Sequence, residues 1–494
     1  MNLNPGWLSN EKAEKFPHKT AVIYKDENLD FLTLNRRANR LAHVLSDLGV
    51  REGDKAGILF PNSPEFVVSY LAILKIGGVV VPFDTRVAPE EIRRMLDLVQ
   101  ASCLITLPPV IPGELEDKAV VHVEGETIKI QDRILDPPDS SMGLECDPDK
   151  EAVYLSTSGS TGMPKLAVLT LGNLSCFPVV MREIFAATPS AIYGMTLPMS
   201  HVSGPIIVQE VFETGTTLAL INSLDGKHIL QSIEKYGISL IWSVAPIYRL
   251  LANAAKKGGF DARSLKTLAV MGMETPLTLL KELSHVFPDT AIVQGYGLTE
   301  TAGPIIGTLP KDAQRKLGSI GRPASFMEVK VVDDEGGDLP VGQAGEIIVK
   351  GPAVMKGYYN DPEATEKRIK NGWLYTGDIA RFDEDGYLYM TGRKDDMIIT
   401  GGLNVFPAEI EDVLSRHPKV KEAAVVGIPD EKRGQIVEAI IVPASDNVSK
   451  KEILEFCREN LAGYKCPRSI RFVSELPKTS TGKIPRSSLR TKKA

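Results

Sequence analysis

Apolar and polar positions along the chain follow two rhythms. Residues 55–60, "KAGILF", form a short continuous apolar run. Residues 63–77, "SPEFVVSYLAILKIG", carry apolar side chains at helical spacing behind Ser63, a capping residue type, with Pro64 at the first turn; residues 77–83, "GGVVVPF", are apolar again. This predicts strand, helix, strand, and uninterrupted apolar strands joined by a helix imply a parallel sheet covered on both faces.

The alternation recurs in "SLIWSVAPIYRLLANAAKK" and in "SLKTLAVMGMETPLTLLKELSHVFPDTAIVQGYG", so the chain reads as α/β to about residue 310. From about 310 to 390 the rhythm changes to short strands between turn residues, "EVKVVDDEGGDLP", "GEIIVKGP" and "RFDEDGYLYMTG", which predict a small antiparallel β subdomain. After "GRKDDMIITGG" the units "PAEIEDVLSRHP", "VKEAAVVGIPD", "QIVEAIIVPA" and "KKEILEFCRENL" predict a separate small α+β domain. The expected division is therefore a large N-terminal domain over 1–392, a junction at 393–396 and a C-terminal domain over 397–494.

A chain of 494 residues exceeds a single simple core, which agrees with that division. Its net charge of −6 argues against a nucleic-acid binder and leaves small molecules as the expected partners. Cys103, Cys146, Cys176, Cys457 and Cys466 are scattered, with no C-x-x-C pair, so neither zinc nor a disulfide framework is expected and a reducing, cytoplasmic setting is. The polar N-terminus lacks the apolar run of a secretory signal. In the most apolar stretch, Pro61, Pro64, Glu65 and Lys75 interrupt what a ~20-residue membrane span would keep apolar.

The stretch "YLSTSGSTGMPKLAVLT", 154–170, sets glycines and hydroxyls between apolar segments and includes one lysine. Backbone N–H groups of such a loop can approach phosphate oxygens, with hydroxyls as further donors. Met163 and Pro164 separate Gly162 from Lys165, so the stretch is not the G-x-x-x-x-G-K-[ST] loop. Taken alone, a solvated surface loop is the competing reading.

The stretch resembles the phosphate loop of the adenylate-forming superfamily, which includes acyl-CoA synthetases; Leu166 stands where that family usually has glycine. The resemblance extends to "LPMSHVSG" (197–204), "QGYGLTET" (294–301), "YTGDIARFDEDGYLYMTGRKDDMIITGGLNVFPAEIE" (375–411) and "LPKTSTGKIPR" (476–486). These five motifs occur in the family's order over some 330 residues.

The resemblance implies an AMP-forming acid–thiol ligase that takes ATP, Mg²⁺, a carboxylic acid and CoA. Thr157, Ser158, Gly159, Ser160, Thr161, Gly162 and Lys165 would hold phosphates, and Glu300 the metal. Gly272, Met273, Glu274, Gln294, Gly295, Tyr296, Gly297, Thr299, Asp378 and Arg393 would contact the nucleotide. Glu274 falls where the family's usual G-G-A-P is absent.

Lys483 would act in adenylation, Asp395 as the hinge, and Gly401, Gly402 and Leu403 along the pantetheine path. His201, Val202, Trp242, Met271 and Ala302 would line the acid pocket, with His201 as a gate. Each has a plainer reading: Tyr296 and His201 as core residues, Glu300 as a surface charge, Asp378 as a turn aspartate, Lys483 as one of several solvated lysines in a basic tail.

Amino-acid-activating relatives place an aspartate in the pocket segment, and "HVSG" has none, so an apolar monocarboxylic acid with CoA is the expected pairing. No lysine or arginine stands near "HVSG" in sequence to pair a second carboxylate. An aryl acid, a carrier protein or dioxygen as acceptor, and a non-catalytic nucleotide-binding relative are the alternatives.

Overall fold

The computed structural model describes residues 11–108, 118–131, 133–142, 147–157, 165–273, 275–445, 447–478 and 484–490. Strand Lys55–Leu59, helix Pro64–Lys75 and strand Val79–Phe83 form where the apolar pattern places them, and the two strands pair in parallel. They belong to a nine-stranded sheet ordered Gly357–Tyr358, Lys165–Thr170, Glu151–Thr157, Val79–Phe83, Lys55–Leu59, Cys103–Thr106, Ala119–Glu124, Thr127–Ile130, Arg133–Leu135. A second nine-stranded sheet runs Arg322–Pro323, Gly303–Gly307, Ala291–Leu298, Thr267–Val270, Leu240–Ser243, Ile192–Met195, Thr217–Leu220, Thr20–Tyr24, Glu27–Asp30. Below, the sheet carrying Thr20–Tyr24 is the first sheet and the one carrying Lys55–Leu59 the second.

One continuous core includes side chains of both sheets and of helices Phe31–Asp47, Pro64–Lys75 and Ser203–Thr214. Phe31 meets Phe212 edge to face at 5.4 Å within it. Helix Phe31–Asp47 starts where the Asp30 carboxylate accepts the Thr33 N–H at 2.7 Å. Helix Ser203–Thr214 stops at Gly215, whose φ of +79° favours a residue without Cβ.

The expected antiparallel unit is a third sheet of Glu328–Val332, Gly345–Lys350, Trp373–Phe382 and Ile369–Lys370, with Leu388–Arg393 also pairing to Trp373–Phe382. Strand Arg322–Pro323, inside the stretch read as that unit, instead pairs with Gly303–Gly307 of the first sheet. The fourth sheet joins Leu403–Val405, Ile398–Thr400, Gly434–Pro443 and Val420–Asp430, with Ser469–Phe472 parallel to Gly434–Pro443.

Two local expectations change. Ser63 is the residue before helix Pro64–Lys75, but its hydroxyl makes no capping bond and is buried without a hydrogen-bond partner among the described residues. Lys75, read as a polar break in an apolar run, is only 1 % exposed, and burial pushes its ammonium down to about 7. Among the described residues no helix is long and apolar enough to cross a membrane.

Candidate functional site

Strands Ile192–Met195, Leu240–Ser243, Thr267–Val270 and Ala291–Leu298 run parallel, so the segments after the first three and the far end of the fourth emerge on one edge of the first sheet. Ligand crevices of open α/β sheets lie at such carboxyl ends. Trp242, Met271 and Ala302 are buried there, and His201 and Val202 are half-buried. Trp242 packs against Phe177 with ring centroids 5.1 Å apart. A Cβ on Gly295 would lie 3.2 Å from Met271 Sδ, which places those two strand ends side by side. Ala302 adopts φ +49°, a left-handed conformation that costs a non-glycine residue strain and is found most often at functional positions.

The expectation of no basic group near His201 is corrected by the fold. His201 Nε2 stands 3.7 Å from Asp84 Oδ2, beyond hydrogen-bond range but within that of an ion pair. Asp84 in turn holds Arg86 through Nε at 2.8 Å and Nη2 at 2.5 Å. The guanidinium beside Asp84 and the backbone N–H of Arg86 hold that carboxyl below its usual range despite partial burial. Arg86 is thus brought near the pocket with its charge already matched by a carboxylate.

Thr157 ends strand Glu151–Thr157 and faces Lys165 across the antiparallel pair, its hydroxyl donating to the Lys165 carbonyl at 3.3 Å. The Lys165 ammonium lies 5.3 Å from the centre of the Tyr358 ring, and the Tyr358 hydroxyl donates to Glu300 Oε1 at 2.8 Å. Tyr358 therefore joins two expected phosphate-side residues that are 135 positions apart in sequence. No sequence pattern pointed to it, because its role lies in the pairing of strand Gly357–Tyr358 with Lys165–Thr170.

Asp378 lies at a register shift in the pairing of Trp373–Phe382 with Gly345–Lys350. Gly377 there takes φ +75°, and its N–H donates to Glu346 Oε1 at 3.0 Å. Bulges re-aim side chains, and Asp378 is turned so that Oδ2 accepts from Tyr296 at 2.7 Å and Oδ1 lies 3.1 Å from Arg393 Nε. Burial and the Asp378 charge push the Tyr296 phenol far up, keeping it a donor. Gln294 is buried, and its Oε1 has no hydrogen-bond partner among the described residues. Thr299 opens the single 3₁₀ turn Thr299–Thr301, Gly272 takes φ +78°, and Met273 is partly buried beside it. Gly297 faces the Gly303 carbonyl so closely that a Cβ would fall 2.0 Å from it.

Asp395 lies in the 3₁₀ turn Lys394–Asp396 between the third and fourth sheets. Lys394 bonds Glu346 at 3.1 Å and Asp334 at 2.8 Å, while Arg486 bonds Asp396 at 2.9 Å and Glu411 at 2.7 Å. The junction is thus clamped from both sides. Gly401 and Gly402, at φ +58° and +80°, make the two-residue turn of hairpin Ile398–Val405, which demands left-handed backbone at both positions. A Cβ on Gly402 would meet nothing within 4 Å among the described residues, and Leu403 is exposed. Ser158, Gly159, Ser160, Thr161, Gly162, Glu274 and Lys483 lie outside the described residues.

Asn62 and Asp84 also face the 197–204 segment, and neither belongs to the expected site residues. Each is the first strongly polar side chain after an apolar strand, in "GILFPN" and "VVVPFD", and that position was the available signal.

Among the described residues no group of three His, Cys, Asp or Glu side chains could hold a metal ion. Glu300 presents one carboxylate. That donor set fits Mg²⁺, which is commonly held by one or two carboxylates together with substrate phosphates.

Residues 9–359 match the family model of the AMP-binding enzymes, and residues 409–483 that of the AMP-binding enzyme C-terminal domain. The chain is 35% identical over 487 residues to a feruloyl-CoA synthase of an Amycolatopsis species, covering 97% of each chain. It is 34% identical to the long-chain-fatty-acid–CoA ligase FadD13 of Mycobacterium tuberculosis, over 99% of this chain and 98% of that one. Its fold superposes with a TM-score of 0.90 on the o-succinylbenzoate CoA synthetase MenE of Bacillus subtilis, solved with its acyl-adenylate, at 31% identity over 99% of this chain and 98% of that one.

Proposed function

The chain belongs to the AMP-binding enzyme family, and from that premise we propose how its own residues carry out acyl-CoA synthesis. The reaction is that of an AMP-forming acid–thiol ligase. A carboxylate oxygen attacks the α-phosphorus of ATP, the bond to the β-phosphate breaks, and pyrophosphate leaves. The CoA thiol then attacks the acyl carbonyl carbon, and AMP departs.

Tyr296, Asp378 and Arg393 hold the nucleoside, with Asp378 accepting from the ribose hydroxyls. The Gln294 oxygen, without a partner among the described residues, suits a base amino group. The run Thr157–Gly162 and Lys165 grip the β- and γ-phosphates. Glu300 would hold Mg²⁺ against the triphosphate, where the ion neutralises phosphoryl charge. Lys483 stabilises charge at the α-phosphate during adenylation. Rotation about Asp395 then withdraws Lys483 and brings Gly401–Leu403 to the pantetheine arm. The single observation carrying this reading is the convergence of Tyr296, from the first sheet, and Arg393, from the third, on the buried carboxylate of Asp378.

The acid is an apolar monocarboxylate lying along Val202, Trp242, Met271 and Ala302, with His201 at the mouth. The aromatic pair Trp242 and Phe177, tilted 40° to one another, favours a second reading, an aryl acid. A panel of straight-chain, aryl and dicarboxylic acids, followed by pyrophosphate release with and without CoA, tests both. Pyrophosphate limited to about one equivalent per enzyme without CoA, and steady AMP release with it, is expected. Turnover independent of CoA would refute the thiol acceptor.

A further inference from the structure

The segment Leu197–Gly204 is tied to itself. Ser203 Oγ donates to the Pro198 carbonyl at 3.1 Å, the His201 N–H to the same carbonyl at 3.3 Å, and the Gly204 N–H to the His201 carbonyl at 2.9 Å. Gly204 packs so tightly that a Cβ would fall 1.9 Å from the Met199 carbonyl oxygen. A segment braced this way shifts as a unit, so its place is set by what holds it from outside.

Two side chains of the second sheet do so. Asn62, just past strand Lys55–Leu59, uses both ends of its amide: Nδ2 donates to the Leu197 carbonyl at 2.8 Å and Oδ1 accepts the Met199 N–H at 2.8 Å. Pro198 between them has no N–H, so this stretch could not continue a regular ladder, and the amide substitutes for a paired strand. Asp84, just past strand Val79–Phe83, faces His201 Nε2 at 3.7 Å. The contacts span 135 and 137 residues of sequence and link the two sheets across the crevice.

We propose that Asn62 and Asp84 are positioning residues for the acid: by fixing segment 197–204 against the second sheet they set where His201 and Val202 stand, and hence which acids fit. The inference rests on the reading of that segment as the pocket wall. Among the described residues the Asn62 amide bonds the 197–204 segment and neither nucleotide-side cluster, so its loss should be felt by the acid and not by ATP.

Asn62→Asp tests this with little change in shape. The new carboxylate still accepts from the Met199 N–H but turns an oxygen toward the Leu197 carbonyl, leaving that acceptor unpaired. The KM for the acid is expected to rise about tenfold and the ranking of acids by chain length to change, with the KM for ATP held within about twofold. Asp84→Asn, which removes the charge facing His201, should disturb the same ranking. Because both act through one braced segment, the double variant should fall short of the product of the single effects.

A parallel rise of KM for acid and ATP, or a lowered melting temperature with the ranking intact, would show plain structural glue and overturn the proposal. Val202→Phe separates the premise from the inference. If it leaves the ranking unchanged, the wall lies elsewhere and both fail. If it changes the ranking while Asn62→Asp and Asp84→Asn do not, the pocket stands and the positioning role alone fails. Should Asn62→Asp not fold, Asp84→Asn measured against Val202→Phe gives the same decision.

Discussion

Single side chains on the proposed phosphate side can be tested one contact at a time. Tyr358 gives its hydroxyl to Glu300 and its ring face to Lys165. Tyr358→Phe keeps the ring and removes only the hydroxyl, so the Glu300 carboxylate loses a donor while the lysine keeps its cation–π contact. Hydrogen bonds to charged groups contribute about 1.5–3 kcal/mol, so affinity for Mg·ATP is expected to fall about tenfold or more, read by calorimetric binding as well as by KM. Unchanged binding would show that the hydroxyl does not orient Glu300. Lys483→Ala should slow adenylation by ~10²–10⁴ while thioester formation from pre-made acyl-adenylate persists. Equal loss of both half-reactions, measured separately, would remove Lys483 from its assigned step.

Helix Ser203–Thr214 shows how an element can carry a charge group into the core. Glu210 is 1 % exposed; Tyr193 donates to its Oε1 at 2.8 Å, and its Oε2 has no hydrogen-bond partner among the described residues. Burial pushes its carboxyl up to about 7, against hydrogen bonds from Tyr193 and Thr214 that pull the other way. Between the ordinary value of 4.5 and about 7 the folded chain therefore keeps a proton that the unfolded chain has lost. Stability from this group is complete below pH 4.5 and declines as pH rises through 7. Glu210→Gln lacks that decline. The difference in unfolding free energy, variant minus parent, should rise from pH 4.5 to above 7 and then level; a flat difference in denaturant titrations would count against a protonated Glu210.

Across the whole molecule, Asn62 of the second sheet's side ties down the 197–204 segment, the proposed wall of the acid pocket, and Arg86 near it is already paired with Asp84. On that reading a second substrate carboxylate would meet an arginine already matched by Asp84, and burying it unpaired is costly. Monocarboxylates should therefore exceed malonate and succinate in kcat/KM. Each fitting methylene should add ~0.8 kcal/mol until the pocket is full, so a chain-length series should climb and then break. A dicarboxylate outrunning every monocarboxylate of similar length would overturn the apolar reading, and a flat series with strong benzoate turnover would favour the aryl acid.

The sequence by itself determined the features whose chemistry is local. The strand–helix–strand unit at 55–83, the glycine-rich run at 154–170, the paired glycines of the Ile398–Val405 hairpin and the order of the five motifs depend on residues a few positions apart. Backbone preference and apolar period act at that range, so they are written in the string. Only the tertiary structure decided that Arg322–Pro323 joins the first sheet, that Tyr358 bridges Lys165 and Glu300, that Asn62 and Asp84 hold the 197–204 segment, and that Lys75 and Glu210 are buried. Strand order in both large sheets departs from chain order, so side chains more than a hundred residues apart become neighbours through crossovers rather than through spacing. Whether a buried carboxyl or ammonium stays charged then follows from the partners that those crossovers supply, which no window of sequence contains.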